Sequence, residues 1–314
     1  MVPLENFDLI NCPLCSSAQC KELKKSTYPP SLTASELINI YKSSSDNKLY
    51  ERVVKCSNCS LVYLNPRLKS EAIISSYENG IDEAFALQND MRIRTFTNSL
   101  KWILSSLKYN SNSKKVNILD IGCAGGAFLK AGKDLNLNMT GIEPSKYLSK
   151  FATEKYGVKV HQGTLENYPI SDEKIDIITM WDVIEHLTDP SSILKNIHGR
   201  LSDDGALVVN YPDYSSLTAK LLGWKWPFWL SVHLIYFDKN TIKQILENNG
   251  FKILSVKKHW QTLELGYLLQ RASAYFSFFR FFQKLSVLLK IDKTPMKYYL
   301  GQIQVISKKM QSDD

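Results

Sequence analysis

The segment at residues 117–130, NILDIGCAGGAFLK, constrains the fold of this 314-residue chain more than any other part of the sequence. Its apolar start runs through Asp120 to Gly122, and apolar residues then recur at helical spacing. This pattern predicts a strand, a tight glycine turn and a helix. Glycine lets the backbone approach a ligand closely, and the start of the helix offers free N–H groups. The segment therefore predicts an α/β domain with a ligand at the turn.

A second predicted strand ends at Glu143, which stands 23 residues after Asp120. An acid at that place can accept hydrogen bonds from both hydroxyls of an adenosine ribose. A nicotinamide fingerprint, G-x-G-x-x-G, would fall on Gly122, Ala124 and Ala127, and it lacks two of its three glycines. Taken alone, the turn leaves the class of cofactor open.

Further predicted elements follow in a fixed order. A buried strand at 175–180 runs into the sequence WDVIEHL at 181–187, and a helix is expected at 191–200. Another strand is expected at 205–210, and a helix at 241–251 ends in Asn-Gly-Phe. This series resembles the class I S-adenosylmethionine (SAM)-dependent methyltransferases of the ubiquinone-O-methyltransferase-like superfamily.

The resemblance implies an α/β fold with a Rossmann-like seven-stranded methyltransferase sheet. The cysteine pairs and the helical pattern described below add to this expectation a small N-terminal zinc ribbon and a helical insertion before the last strand. The resemblance also implies SAM as cofactor. The family pattern D-x-G-x-G-x-G falls on Asp120, Gly122 and Gly126 and departs from it at Ala124. By resemblance these residues approach the methionine part of the cofactor, and Glu143 binds its ribose.

The resemblance also assigns the rest of the cofactor pocket. Thr164 and Leu165 are expected beside the adenine, and Asp182 closes the pocket after strand four. Many relatives carry an acid near position 164 that pairs with the adenine amino group. Here Thr164 is neutral, and Glu166 follows two residues later.

Two histidines are candidate catalytic residues. The methyl group of a sulfonium is already activated, so the enzyme mainly has to align an acceptor and remove its proton. His186 is expected at the rim of strand four, and its side chain titrates near neutrality. His233 follows residues 224–229, which hold three of the six tryptophans and lie where family members carry acceptor-binding lids.

Each of these assignments has a plainer alternative. His186 could only pack against Glu185, and an aromatic cluster is more often the packed base of a lid than a substrate contact. In some quinol-type relatives a Glu-His pair is linked to a divalent metal. The sequence leaves that open for Glu185 and His186.

Two C-x-x-C pairs, Cys12/Cys15 and Cys56/Cys59, are separated by 40 residues. Two such knuckles complete a closed four-cysteine site, which predicts structural Zn²⁺. A thioredoxin-like redox pair needs a single C-x-x-C at the start of a helix, and that context is missing. The segment from Cys56 onward resembles the cysteine-bearing lead-in of a subgroup associated with carbohydrate, cell-surface glycan or lipid modification.

The predicted domains are a zinc ribbon at 1–66, a helical lead-in at 67–112 and a SAM-binding methyltransferase domain at 113–314, with a helical insertion at 262–299. The ribbon is expected to be loose in its middle, where Pro-Pro stands at 29–30 and three serines stand at 43–45. The N-terminus has no basic and apolar leader pattern. We therefore expect a cytoplasmic protein.

The positive charge is concentrated at the C-terminal end. Residues 252–314 hold eleven Lys and Arg against four acids, which accounts for +7 of the net +8. Within 262–291, apolar residues share one helical face, with Ser273, Ser277, Arg280 and Lys284 opposite. The apolar face comprises Leu268, Leu269, Ala272, Tyr275, Phe276, Phe279 and Phe282.

This amphipathic, cationic pattern predicts peripheral contact with an anionic membrane at its inner face. Core packing or the interface of a homodimer is the alternative. The expected activity is O-methylation of a sugar, glycan or lipid-linked glycan, with a small-molecule or glycan acceptor. The alternatives are an RNA methyltransferase that uses the ribbon and the basic tail, and a non-catalytic SAM-binding scaffold. The (N/D)-P-P-(Y/F) motif of many base-amine methyltransferases does not follow strand four, which disfavours nucleic acid.

Overall fold

The computed structural model of the protein describes most of the chain. The described residues are 7–28, 40–41, 49–70, 72–73, 88–109, 116–169, 174–273 and 275–310. The proline and serine positions of the expected loose linker, at 29–30 and 43–45, lie outside these ranges, as does the predicted domain boundary at 112–113.

The N-terminal part forms short strands and one long helix. These elements are β1 (Phe7–Asp8), β2 (Cys20–Lys24), β3 (Val53–Cys56), β4 (Val62–Leu64), β5 (Arg67–Leu68) and α1 (Asn89–Ser106). Strands β2, β3 and β4 pair in antiparallel order, and Cys20 lies opposite Cys56. The short sheet holds the second cysteine pair at its β3–β4 turn.

The rest of the chain alternates strands and helices. In chain order these are β6 (Asn117–Ile121), α2 (Ala127–Asp134), β7 (Asn138–Glu143), α3 (Lys146–Tyr156), β8 (Lys159–Gln162), β9 (Ile175–Trp181), α4 (Pro190–Arg200), β10 (Leu201–Pro212), α5 (Leu217–Leu222), β11 (Ile235–Tyr236), α6 (Lys239–Asn248), β12 (Phe251–Lys258), β13 (Gln261–Glu264), α7 (Leu265–Ser273), α8 (Phe279–Leu288), β14 (Pro295–Tyr298) and β15 (Gln302–Lys309). None of the helices in the described ranges is both long and apolar enough to cross a bilayer.

Seven of these strands form one mixed sheet in the order β12-β15-β10-β9-β6-β7-β8. The five strands from β10 to β8 are parallel, whereas β15 runs antiparallel to both of its neighbours. Strand β10 is buried along residues 205–212, as expected for a strand covered on both faces. The predicted fold class, an α/β protein with a seven-stranded sheet, is confirmed.

Local capping sets where several helices begin. The Ser145 hydroxyl accepts a hydrogen bond from the Leu148 N–H, and the Asp189 carboxylate accepts one from the Ser192 N–H. Asp238 and Thr241 form a capping box at the start of α6. Each such cap contributes about 1 kcal/mol, so these side chains fix the loops that precede α3, α4 and α6.

The strand order reverses at β6, which has β7 on one side and β9 on the other. In an open α/β sheet, a ligand crevice forms outside the carboxyl ends of the strands at such a switch point. Asp120 is the second-last residue of β6, Glu143 is the last residue of β7, and Asp182 directly follows β9. The fold therefore brings the three predicted acids to one edge of the sheet.

The insertion before the last strand is a strand-bounded helical hairpin. Strands β13 and β14 pair in antiparallel order, and α7 and α8 lie between them. The predicted single helical pattern over 262–291 is thus interrupted, because 262–264 belong to β13 and the two helices are separate. Residue 274, which falls within the predicted pattern, lies outside the described ranges.

The N-terminal sheet and the large domain share one core. Strand β11 pairs with β4, so the small sheet has the order β11-β4-β3-β2. One cluster of buried side chains includes Val53 and Leu61 together with Met180 and Val209. Each part therefore covers apolar surface of the other.

Candidate functional site

One cavity of about 1560 Å³ opens at the carboxyl edge of the parallel strands. Its wall includes the segments after β6, β7, β8 and β9, the start of α1, and the helices α7 and α8. The predicted site residues that line it are Asp120, Gly122, Glu143, Thr164, Leu165, Asp182, His186 and His233. Tertiary structure therefore brings eight predicted residues, which are spread over more than 100 positions, to a single site.

The glycine turn after β6 depends on left-handed backbone. Gly122 has φ +69°, and a Cβ at this position would lie 2.7 Å from Cγ2 of Val183. Ala124 has φ +46°, a conformation that costs a residue with a side chain about 1 to 2 kcal/mol. The Ala124 N–H donates to Oε2 of Glu143 at 2.8 Å. The departure from glycine at Ala124 is thus held in place by the predicted ribose acid.

Gly126 does not line the cavity with the other predicted residues. It has φ +79°, and a Cβ there would lie 2.7 Å from Cβ of Ala152 in α3. Its place is in the packing of α2 against α3, where a side chain would separate the two helices. Ala124 and Gly125 line the cavity in this part of the turn.

Asp120 and Glu143 are buried carboxyl groups, with 1% and 7% of their surface exposed. Oδ1 of Asp120 accepts a hydrogen bond from Thr179 Oγ1 at 2.6 Å, and Oε1 of Glu143 accepts one from the Ser145 N–H at 2.8 Å. Burial raises the pKa of Asp120 to about 8 and that of Glu143 to about 7, against these stabilising hydrogen bonds. Both groups line the cavity, so a polar ligand bound there could donate the hydrogen bonds that water gives to an exposed carboxyl group.

The adenine side and the rim follow from β8 and β9. Thr164, Leu165 and Glu166 all line the cavity, so the displaced acid of the sequence lies on the same wall. Asp182 has φ +54°, and its Oδ1 accepts hydrogen bonds from Asn210 Nδ2 at 2.7 Å and Gln302 Nε2 at 2.6 Å. These bonds fix the direction of the Asp182 carboxylate at the rim.

The two predicted histidines are neighbours. Their ring centroids lie 4.7 Å apart in an edge-to-face arrangement. Nδ1 of His233 lies 2.9 Å from the carbonyl oxygen of Phe228, so Nδ1 carries the proton and Nε2 has a free lone pair. Burial lowers the pKa of His186 to about 4 and that of His233 well below its usual value, so both rings are neutral at pH 7. A neutral imidazole can accept a proton or bind a metal ion.

A family model described as a methyltransferase domain matches residues 91–256, which is more than half of the chain. The chain belongs to this methyltransferase family. The match runs from α1 to β12 and includes every predicted site residue after the cysteine pairs. The prediction that this chain is a class I SAM-dependent methyltransferase is confirmed.

Relatives with known names match shorter segments. A segment of 125 residues is 30% identical to the ubiquinone biosynthesis O-methyltransferase of Haemophilus ducreyi. This match covers 34% of this chain and 52% of the relative. Another, of 131 residues, is 27% identical to the tRNA U34 carboxymethyltransferase of Nautilia profundicola and covers 39% and 42% of the two chains. The chain spans about half the length of the curated relatives it matches.

A solved structure supports the same fold. It is the complex between the Haloferax volcanii Trm112 methyltransferase activator and a methyltransferase, and it aligns with 74% of this chain and 99% of the matched chain. The TM-score is 0.50 and the sequence identity is 12%. At this identity the likeness concerns the fold of the methyltransferase domain alone.

The Glu-His pair of this methyltransferase has the geometry of a cation site. Ligand atoms of Glu185, His186 and His233 all lie within 4.8 Å of one another. Glu185 is 1% exposed, and within the described part of the chain its carboxyl group has no hydrogen-bond partner from another residue. Burial and the neighbouring Asp182 raise its pKa well above the usual value. The group is therefore either protonated or balanced by a cation.

The side of the cavity formed by α7 and α8 is mainly apolar, although Arg271 and Gln283 also line it. All but one of the residues that the sequence placed on the apolar face of 262–291 line the cavity, and Phe282 is exposed instead. Six of the seven residues of that face therefore form part of the cavity wall, and Phe282 points away from it. In the tryptophan segment, Phe228 lines the cavity, whereas Trp226 is buried and donates from Nε1 to the carbonyl oxygen of Leu300 at 2.7 Å. The lid-base interpretation therefore applies to Trp226.

Helix α1 supplies residues that the sequence analysis missed. Gln88, Asn89 and Arg92 line the cavity beside the glycine turn, and Asn89 Nδ2 donates to the carbonyl oxygen of Gly125 at 2.8 Å. The charge of Arg92 lowers the pKa of Asp182, although burial still raises it to about 6. No local pattern in the sequence indicates these residues, because their role depends on where α1 packs.

The four cysteines form a compact cluster at the other end of the chain. The sulfur atoms of Cys12, Cys15, Cys56 and Cys59 all lie within 4.8 Å of one another, and two pairs are 3.4 and 3.5 Å apart. Four thiolates around Zn²⁺ at about 2.3 Å would stand about 3.8 Å apart. All six cysteines are free thiols, so the cluster fits the predicted zinc site.

Proposed function

We propose that this chain transfers the methyl group of SAM to a hydroxyl oxygen of a lipid-linked acceptor, with a lipid-linked glycan as the first candidate. The observation that carries the proposal is the composition of the cavity. One end holds the buried acids and the turn of the methyltransferase domain, and the other is walled by apolar side chains of α7 and α8. A cavity of this kind suits a polar cofactor that meets an amphipathic acceptor.

The cofactor end assigns roles to the residues around the turn. Asp120 and Gly122 contact the methionine part, Glu143 accepts hydrogen bonds from the ribose hydroxyls, and Thr164 and Leu165 flank the adenine. Each carboxylate oxygen of Glu143 already accepts one backbone N–H and retains a second lone pair. The carboxylate can therefore hold the turn and a ribose at the same time.

SAM supplies an activated methyl group when it is bound. In our proposal, Nε2 or Nδ1 of the neutral His186 ring accepts the proton of the acceptor hydroxyl as the oxygen forms its bond to the methyl carbon. Bound SAM would supply the methyl group by cleavage of its carbon–sulfur bond, whose electron pair would stay on sulfur. His233 is 4% exposed, and it holds the His186 ring from the side.

Glu185 offers a second way to activate the hydroxyl. With His186 and His233, it could hold a divalent cation, and such a cation lowers the pKa of a coordinated hydroxyl. Anomalous scattering at a metal absorption edge, measured on crystals grown with Mn²⁺, would distinguish this arrangement from a metal-free base.

The substrate class is tested by supplying labelled SAM together with a membrane lipid extract or with total RNA. We expect label in the lipid fraction and none in RNA. Label in RNA alone would contradict the proposed lipid acceptor and favour an RNA methyltransferase. The similarity to a tRNA U34 carboxymethyltransferase supports the same alternative. Binding of S-adenosylhomocysteine without any transfer would favour the scaffold alternative.

We also propose that the four-cysteine cluster holds structural Zn²⁺. Because its sheet shares a core with the large domain, loss of the metal should destabilise the whole protein. Metal analysis of the purified chain should give one Zn²⁺, and Cys12→Ser should lose it, whereas Cys20→Ser should keep it. Full zinc content in the Cys12 variant would contradict the assignment.

A further inference from the structure

We propose that the outer face of the α7–α8 hairpin docks on the surface of an anionic lipid bilayer. The outer face is defined here as Phe278, Phe281, Phe282, Leu288, Leu289 and Ile291, all of which are exposed. It shares only Phe282 with the apolar face that the sequence indicated, because the other six residues of that face line the cavity. The docking itself does not depend on methyl transfer, so the two proposals can fail separately.

The outer face is large and apolar. Phe281 is 66% exposed and Leu288 is 77% exposed, and both belong to α8. Contiguous apolar patches on the outside of a soluble protein mark interaction sites. The rings are also in mutual contact. The ring centroid of Phe282 lies 6.3 Å from that of Phe278 and 5.6 Å from that of Phe281. The three phenylalanine rings of the outer face therefore form one continuous aromatic cluster.

The charge around the outer face selects its partner. Residues 265–297 contain six Lys and Arg and one acid, Asp292. Arg280, Lys284, Lys290 and Lys293 are exposed, and none forms an ion pair with another residue in the described ranges. Aromatic side chains with a border of cations fit the interface of a bilayer that contains anionic lipid.

The same charge argues against a second copy of the chain. In a two-fold dimer built on the outer face, the four exposed cations of one protomer, Arg280, Lys284, Lys290 and Lys293, would face the same four of the other across an apolar contact. Like charges brought together at an interface are strongly unfavourable. A bilayer with anionic headgroups provides the opposite charge and also buries the aromatic rings.

The outer face and the acceptor end of the cavity lie back to back. Phe278 on the outer face stacks on Phe279 at 4.3 Å, and Phe279 lines the cavity. Phe276, which also lines the cavity, contacts both rings. If the proposed function is correct, docking would place the acceptor end against the bilayer, from which a lipid-linked acceptor can enter directly.

The test is co-sedimentation of the full-length protein with vesicles of phosphatidylcholine, with or without phosphatidylglycerol. We expect binding to the anionic vesicles that weakens as salt is added. Phe281→Ser combined with Leu288→Ser should abolish this binding. The matched control is Leu254→Ser combined with Val256→Ser, which removes two exposed apolar residues from β12 and should bind like the natural chain.

A second variant tests the charge. Arg280→Gln combined with Lys284→Gln should weaken binding to anionic vesicles about fivefold for each cation removed, and the difference should vanish at high salt. Calorimetry with S-adenosylhomocysteine should give the same affinity for all variants, because none of the changed residues lines the cavity. Equal affinity also shows that each variant is folded.

The outcomes separate clearly. Binding to anionic vesicles that the outer-face variant loses and the control retains supports the proposal. No vesicle binding by the natural chain overturns it, as does equal loss in the control. A dimer in sedimentation velocity that the outer-face variant disrupts, without vesicle binding, also overturns it. Vesicle binding without any methyl transfer to lipid would leave docking intact and would count against the proposed acceptor.

Discussion

The two ends of the cavity are built in different ways. The cofactor end is made from main-chain turns at the edge of the parallel sheet, and its carboxyl groups are fixed by hydrogen bonds to Thr179, Ala124 and Ser145. The end that we propose for the acceptor, called the acceptor end below, is made from side chains of an inserted helical hairpin, and its wall is mainly apolar. The first end can therefore be rigid and shared within a family, whereas the second can change without disturbing the sheet.

The largest expected effect concerns Glu143. Its carboxylate accepts two backbone N–H groups, and hydrogen bonds to a charged group contribute about 1.5 to 3 kcal/mol each. We expect Glu143→Gln to weaken S-adenosylhomocysteine binding at least about 100-fold in calorimetry, because the turn and the ribose contact are both lost. The exposed Glu154 is the control, and Glu154→Gln should change nothing. Unchanged affinity for S-adenosylhomocysteine in the Glu143 variant would contradict the assignment of this end of the cavity to the cofactor.

The histidine pair lies between the two ends. His186→Ala should lower kcat about 100-fold, the lower range for loss of a general base, while S-adenosylhomocysteine binds as before. His233→Ala should have a smaller effect of the same kind, because it acts through the His186 ring. Steady-state kinetics with a saturating lipid acceptor measures both. Full activity in both variants would refute the proposed mechanism.

The acceptor end should respond separately. Phe279→Ala shortens an apolar wall residue, and loss of one buried aromatic contact of about 1.5 kcal/mol corresponds to roughly a tenfold rise in KM for a lipid acceptor. The affinity for S-adenosylhomocysteine should stay the same. Leu254→Ala on β12 is the control. A change in cofactor affinity rather than in acceptor KM would show that the two ends are not independent.

The smallest expected effect is on the pH dependence of stability. Asp120 and Glu143 have folded-state pKa values of about 8 and about 7, above their ordinary values, because they are buried. Between the unfolded and folded pKa values the folded state binds more protons, so the free energy of unfolding falls as pH rises. Thermal scans without cofactor should show Tm decreasing from pH 7 to pH 8, because at lower pH the buried His186 and His233, whose pKa values are lowered, change the stability in the opposite direction.

Two variants check that assignment. Asp120→Asn should flatten the slope of Tm against pH, whereas Asp134→Asn, at an exposed position, should leave it unchanged. A slope that persists in the Asp120 variant would mean that other groups cause the pH dependence.

The elements of the cofactor end could be predicted because their signals are local. The strand, the glycine turn and the acids at Asp120 and Glu143 follow from short patterns whose spacing is set by backbone geometry. The packing of Gly126 against Ala152 could not be read in this way, since it depends on where α3 lies. The same holds for Asn89 and Arg92, because nothing local shows that α1 reaches the turn.

The acceptor end shows the limit of periodicity. The pattern at 262–291 indicated helix with one apolar face, for which the sequence predicted contact with a membrane and left core packing or a homodimer interface as the alternative. In the structure the face closes the cavity, and a different set of residues, with Phe281 and Leu288, is exposed. Periodicity states that a face is apolar, but it does not state what covers it.

The amino-acid sequence by itself determined the α/β class, the methyltransferase family and the two cysteine pairs, because each depends on residue types at short, fixed spacing. Only the tertiary structure decided that His186 and His233 are neighbours, that the N-terminal sheet is joined to the domain through β11, and that the α7–α8 hairpin forms a wall of the cavity. These are contacts between distant segments. They depend on how the whole chain buries its apolar surface, and no short pattern contains that information.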